Sequence, residues 1–174
     1  MKQINIQGKY QKTKIEKANN NYENDDNMQR ECMKNIDEKY FDYTIQKTLI
    51  NRLYLNEIFP YKNDIIKELD KKLYSYISQD IHKNKHIQDV NITRDEIIEK
   101  LVLSKLKCFY CNCDIVFLYN KIRTMNQWTL DRINNDLNHS NNNVIISCLK
   151  CNLQKRCQNH DDFLFTKRLT IHKL

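Results

Sequence analysis

Two Cys-x-x-Cys pairs, Cys108/Cys111 and Cys148/Cys151, are separated by 36 residues in a chain of 174. A tight Cys-x-x-Cys turn aims two thiolates at one ion, and zinc takes four soft ligands in a tetrahedron. Two such pairs predict a closed, structural Zn²⁺ site. The chain has seven cysteines, an odd number, and its opening "MKQINIQGKYQKTK" lacks the apolar run of a secretory signal. Both features argue against a disulfide scaffold and for an intracellular setting, cytoplasm or nucleus. Cys113 in "CFYCNC" is an alternative to Cys111, but Cys111 has the same two-residue gap as the second pair. Cys32 and Cys157 have no paired partner and read as small hydrophobes or exposed thiols.

Between the pairs runs "WTLDRINNDLNHSNNNVIISCLKCN", dense in groups that can bind a cation or move a proton. Asp131 closes the apolar run "WTL". A carboxylate at a strand end beside a polar loop suits a hard divalent cation such as Mg²⁺. Asn143 opens the next apolar run, and Asn152 directly follows Cys151 at the start of a predicted helix. The second knuckle fixes where that helix begins, and so aims the Asn152 amide at the cation expected on Asp131. Taken singly, these residues read as a turn cap, a loop residue and a first-turn helix residue. Taken together beside the knuckle, they predict a site.

The elements that must position them follow from hydrophobic spacing. Residues 1–30 are polar and Asn-rich and predict a flexible arm. From Met33, apolar residues recur at helical intervals through Ile36, Tyr40, Tyr43, Leu49, Ile50 and Leu53. After Pro60, Asn63 is a candidate N-cap for a helix whose face carries Ile65, Ile66, Leu69, Leu73, Tyr76 and Ile77. Thr93 and Glu96 have capping-box spacing ahead of Ile97, Ile98, Leu101 and Leu103. Strands are expected through "IVFLY", "WTLD" and "NVIIS", then a helix near Cys151. The predicted class is α+β, with a flexible arm (1–30), a helical region (31–91) and a small zinc-stabilised ββα unit (92–174). The aromatics of 39–77 fit a core better than a partner surface.

The formal charge of +7 is uneven: net +2 over residues 1–105 and net +5 over 106–174, alongside the cysteines. A basic excess favours phosphate-rich partners through counterion release, although spare surface lysines give the same count. Lys150, Lys155, Arg156, Lys167 and Arg168 are the candidate backbone contacts. No apolar run reaches the roughly 20 residues of a membrane span, so no membrane partner is expected. Nothing in the sequence sets an oligomeric state.

The stretch "LDRINNDLNHSNNNVIISCLKCNLQK" resembles the HNH, or ββα-metal, nucleases, in the subset opening Asp-Arg-Ile-Asp/Asn. The matching residues are Asn143, a short apolar strand, Cys148-x-x-Cys151, Asn152 and Lys155. Upstream, "ITRDEIIEKLVLSKLKCFYC" is similar to the helix and first knuckle of zinc-containing members. The likeness spans about Ile92 to Leu169 and leaves out residues 1–90. It implies that Asp131 and Asn152 bind a catalytic Mg²⁺ or Mn²⁺ and that Asn143 holds the inter-strand loop. Where the motif often has a histidine base after the aspartate, this chain has Arg132, which stays protonated.

His139 is then the one imidazole in the loop, and a neutral imidazole can take a proton from water. The alternative is a surface loop histidine. Arg132 is the candidate for steadying a charged phosphate. The expected activity is hydrolysis of DNA phosphodiester bonds, with RNA a possible substrate. The rival expectation is a zinc-stabilised nucleic-acid-binding module without chemistry, and Arg132 in the histidine position keeps it open.

Overall fold

A computed structural model describes residues 30, 33–85 and 90–169. The predicted N-terminal arm falls almost wholly outside them, as do Cys32, His86 and His172. The architecture is α+β. A 3-10 turn at Glu38–Phe41 leads into α1 (Tyr43–Tyr54), followed by α2 (Lys62–His82) and α3 (Arg94–Leu103). Then come β1 (Trp128–Arg132), β2 (Val144–Cys148), α4 (Leu149–Lys155) and α5 (His160–Arg168). Among the described residues no helix is long and apolar enough to cross a membrane.

Local chemistry sets most of these boundaries. Asp42 caps α1, accepting from the backbone N–H groups of Thr44 and Ile45. Thr93 and Glu96 form the reciprocal capping box foreseen for α3. Helix α2 differs from expectation: it begins at Lys62, behind Tyr61 in a left-handed conformation (φ 62°), so Asn63 lies inside the helix. Leu103, assigned above to the apolar face of α3, is 72% exposed because at 3.6 residues per turn it falls on the side of the helix away from Ile97, Ile98 and Leu101. The expected single helix near Cys151 is two helices, α4 containing Cys151 and α5, the second capped by Asn159.

The expected "IVFLY" strand does not form. Gln46, fully buried on α1, takes up its backbone groups: Oε1 accepts from Phe117 N and Leu118 N, and Nε2 donates to Leu118 O. A side-chain amide thus does the work of a ladder partner, and only an isolated bridge joins Val116 to Gln127.

Strands β1 and β2 pair antiparallel, with Leu130 opposite Ile146 and Asp131 opposite Ile145. The outer edge of β1 is covered by α2. Lys72 donates to Trp128 O, Tyr76 Oη accepts from Leu130 N at 3.0 Å, and Asp80 reaches Arg132. Four helical residues advance about 6 Å and two strand residues about 6.7 Å, so the two series stay in step. One buried core runs from Met33 through Tyr76, Ile97 and Trp128 to Phe163, joining the helical region to the cysteine-bearing region.

Candidate metal centre and polar cleft

The metal-binding atoms of Cys108, Cys111, Cys148 and Cys151 lie within 4.8 Å of one another. Cys111 Sγ and Cys148 Sγ are 3.9 Å apart, and four thiolates about 2.3 Å from one zinc would be spaced by roughly 3.8 Å. Cys108 enters from the turn after α3, where Lys105 and Leu106 take positive φ. Cys148 ends β2 and caps α4, with its sulfur accepting from Cys151 N, while Cys148 N donates to Cys108 Sγ. Left to themselves, Cys108 and Cys151 resist ionising. Cys108 is pushed up to about 12 by its bond to Cys148 and then by burial, and Cys151 up to about 12, chiefly by burial. A divalent cation reverses that balance, because four thiolates need a shared positive charge. The donor set fits zinc. Cys113 lies outside the cluster and Cys157 is exposed.

Asp131 is buried at the seam between β1 and α4 and already has partners. Tyr110 Oη donates to its Oδ2 at 2.5 Å. Lys155 Nζ stands 3.1 Å from Oδ2 and 3.3 Å from Oδ1, and also donates to Arg132 O at 2.6 Å. Asn152 turns its NH₂ group onto β1, donating to Thr129 Oγ1 and Leu130 O. A hard divalent cation needs oxygen ligands and uncompensated charge. Here an ammonium meets the carboxylate and the amide presents its donor side, so the Asp131–Asn152 pair as placed does not fit Mg²⁺ or Mn²⁺. Lys155 is 0% exposed, which removes it from the candidate phosphate contacts.

The structure does not bring His139 to the Asp131 carboxylate. Successive strand residues face opposite ways, and Arg132, beside Asp131, points toward α2. There Asp80, fully buried, pairs with Arg132 Nη1 at 3.4 Å and holds His139 through both ring and backbone: Nδ1 at 2.8 Å and N at 2.7 Å. The ring packs on Tyr76 and is 5% exposed in total. Burial lowers the His139 pKa, with Asp80 pulling the other way. Asn143 closes the loop: Nδ2 donates to Asn134 O and Asn138 O, and Oδ1 accepts from Asn134 N.

An open cleft of about 1030 Å³ lies between the β1–β2 loop and the α4–α5 turn. Lys83, Lys85, Arg132, Arg156 and His160 line it, with Asp136 and Asp161 as the acidic counterweight. Of the five predicted backbone contacts, Arg156 alone lines this cleft. Lys150 is exposed elsewhere, Lys167 bonds Gln154 and Arg168 lies over Phe109.

Three residues here escaped sequence reasoning. Asp80 falls on the α2 stripe four residues after Tyr76, and a carboxylate on an apolar face was its signal. Tyr110 sits inside the first knuckle, where only its neighbours drew notice. His160 follows the helix cap Asn159 and hydrogen-bonds Tyr110 Oη through Nδ1 at 3.0 Å. Nothing in the sequence tied it to Asp131.

No family model, no curated protein and no solved structure matches this chain.

Proposed function

We propose that this chain is an endonuclease of the HNH kind, hydrolysing DNA phosphodiester bonds at the cleft beside the cysteine cage. One observation carries the reading. A four-cysteine cluster joins the end of β2 to α4, and this strand–strand–helix unit holds a buried carboxylate, Asp131, linked through Tyr110 to His160 on the wall of a cleft also lined by Lys83, Lys85, Arg132 and Arg156. Lys83 and Arg156, exposed on the walls of that cleft, suit backbone phosphates and carry no base-reading geometry.

The second reading is a zinc-stabilised nucleic-acid-binding module. The Lys155 ammonium on Asp131 favours it, because the carboxylate is neutralised from within the chain.

The discriminating assay incubates the zinc-loaded full chain with supercoiled plasmid and Mg²⁺ or Mn²⁺, with and without EDTA. A parallel arm uses structured RNA. Nicking of the plasmid supports the nuclease. Binding without cleavage in either metal replaces it with the module. Failure to bind either nucleic acid sinks both readings.

A further inference from the structure

Tyr110 stands between Asp131 and His160. Its hydroxyl lies 2.5 Å from Asp131 Oδ2 on one side and 3.0 Å from His160 Nδ1 on the other. A tyrosine hydroxyl has one proton to give. Asp131, paired with Lys155, is a carboxylate and can only accept, so the Tyr110 proton points to it. The oxygen of Tyr110 then accepts from His160, and Nδ1 must be the nitrogen that carries the proton. That fixes the neutral tautomer and leaves a lone pair on Nε2, which has no hydrogen-bond partner among the described residues. The ring packs against both Phe109 and Tyr110, with centroids 5.3 Å and 5.5 Å away, and it borders the basic cleft.

We infer that His160 is the general base of the cleft, with its tautomer set by Tyr110 and Asp131. The inference rests on the nuclease reading and assigns its proton transfer to a histidine outside the Asp-Arg-Ile segment. Water in the cleft gives a proton to His160 Nε2 as its oxygen bonds to phosphorus. The P–O3′ bond breaks with its electron pair on O3′, which takes a proton from solvent. The imidazolium then returns its own proton to solvent, leaving a 5′-phosphate and a 3′-hydroxyl. Tyr110 is a positioning residue, and Asp131 anchors it.

The test has two readouts on the zinc-loaded full chain. In ¹⁵N spectra of histidine-labelled protein, His160 should show a protonated Nδ1 and a bare Nε2, and Tyr110→Phe should release the ring to the Nε2–H form. In the plasmid assay, His160→Gln should slow nicking by about 100-fold or more with DNA binding retained. Added imidazole should restore part of the rate to His160→Gly. Tyr110→Phe should slow nicking while keeping the zinc. An Nε2–H tautomer in the unmodified protein overturns the inference whether or not DNA is cut. Unmodified protein that nicks, with His160→Gln equally fast, overturns the base and leaves the nuclease standing. A protein that binds plasmid and never nicks it removes the nuclease reading, and the base with it.

Discussion

Lys155 Nζ lies 3.1 Å from Asp131 Oδ2, and both side chains are buried, at 0% and 6% exposure. The lysine comes from the last turn of α4 and the aspartate from β1, so the pair locks helix to sheet across the seam. Removing one partner from a buried ion pair leaves a charge without compensation and costs about 3–5 kcal/mol, whereas replacing both with apolar groups is often neutral.

Lys155→Met should therefore destabilise the fold by about 3–5 kcal/mol, and Lys155→Met with Asp131→Leu should recover most of that loss. Denaturant midpoints of the single and double variants measure it. A single variant as stable as the parent protein would show that the pair does not hold the seam.

Asp80 faces a similar test from the other side of β1. Asp80→Asn strands the Arg132 guanidinium in a site where its side chain is 10% exposed, and should cost about 3–5 kcal/mol in the same denaturation experiment. His139 adds a pH dependence. Its folded pKa is lowered, chiefly by burial, so the unfolded chain takes up the proton first. Its contribution to stability is full above the ordinary imidazole value of 6.5 and is lost as pH falls through that value toward the lower folded one. Between about pH 7.5 and about pH 5.5 the parent protein should lose stability, and His139→Asn should flatten that slope. Identical slopes in the two proteins would contradict the assignment.

Arg156 ends α4 with φ 51° and ψ −114°, a conformation that favours glycine, and its side chain lines the cleft. Strain of this kind costs about 1–3 kcal/mol and collects at functional sites. Arg156→Gly should stabilise the fold by about 1 kcal/mol. The same change should weaken DNA binding and reduce the salt slope of log K by about one unit. A titration of plasmid binding against salt, paired with a thermal melt, reads both effects. A variant that is more stable and binds as tightly as the parent would remove Arg156 from the interface.

Much of this architecture is legible in the residues. The capping box at Thr93, the apolar runs of β1 and β2 and the spacing of the four cysteines each follow from local chemistry. What escaped reading depends on groups far apart in the chain. Gln46 converts "IVFLY" from strand to irregular segment across more than 70 residues, and no local pattern signals a glutamine acting as a ladder. With Arg132 unable to act as a base, the sequence leaves His139 as the imidazole in the loop. Strand alternation and the reach of Asp80 from α2 put it on the opposite side. Lys155 reads in the sequence as a phosphate contact because helical spacing alone does not show that Asp131 lies beneath it.

The four clustered cysteines bring β2, α4 and the first knuckle to one point, and a zinc ion on them would clamp the three together. X-ray absorption at the zinc edge of the purified chain tests it most directly. The predicted result is one zinc per chain with four sulfur neighbours at about 2.3 Å, unchanged in Cys113→Ser and reduced to three sulfurs in Cys111→Ser. A shell with nitrogen or oxygen in the unmodified protein, or a chain that folds and binds DNA with no zinc at all, would contradict it.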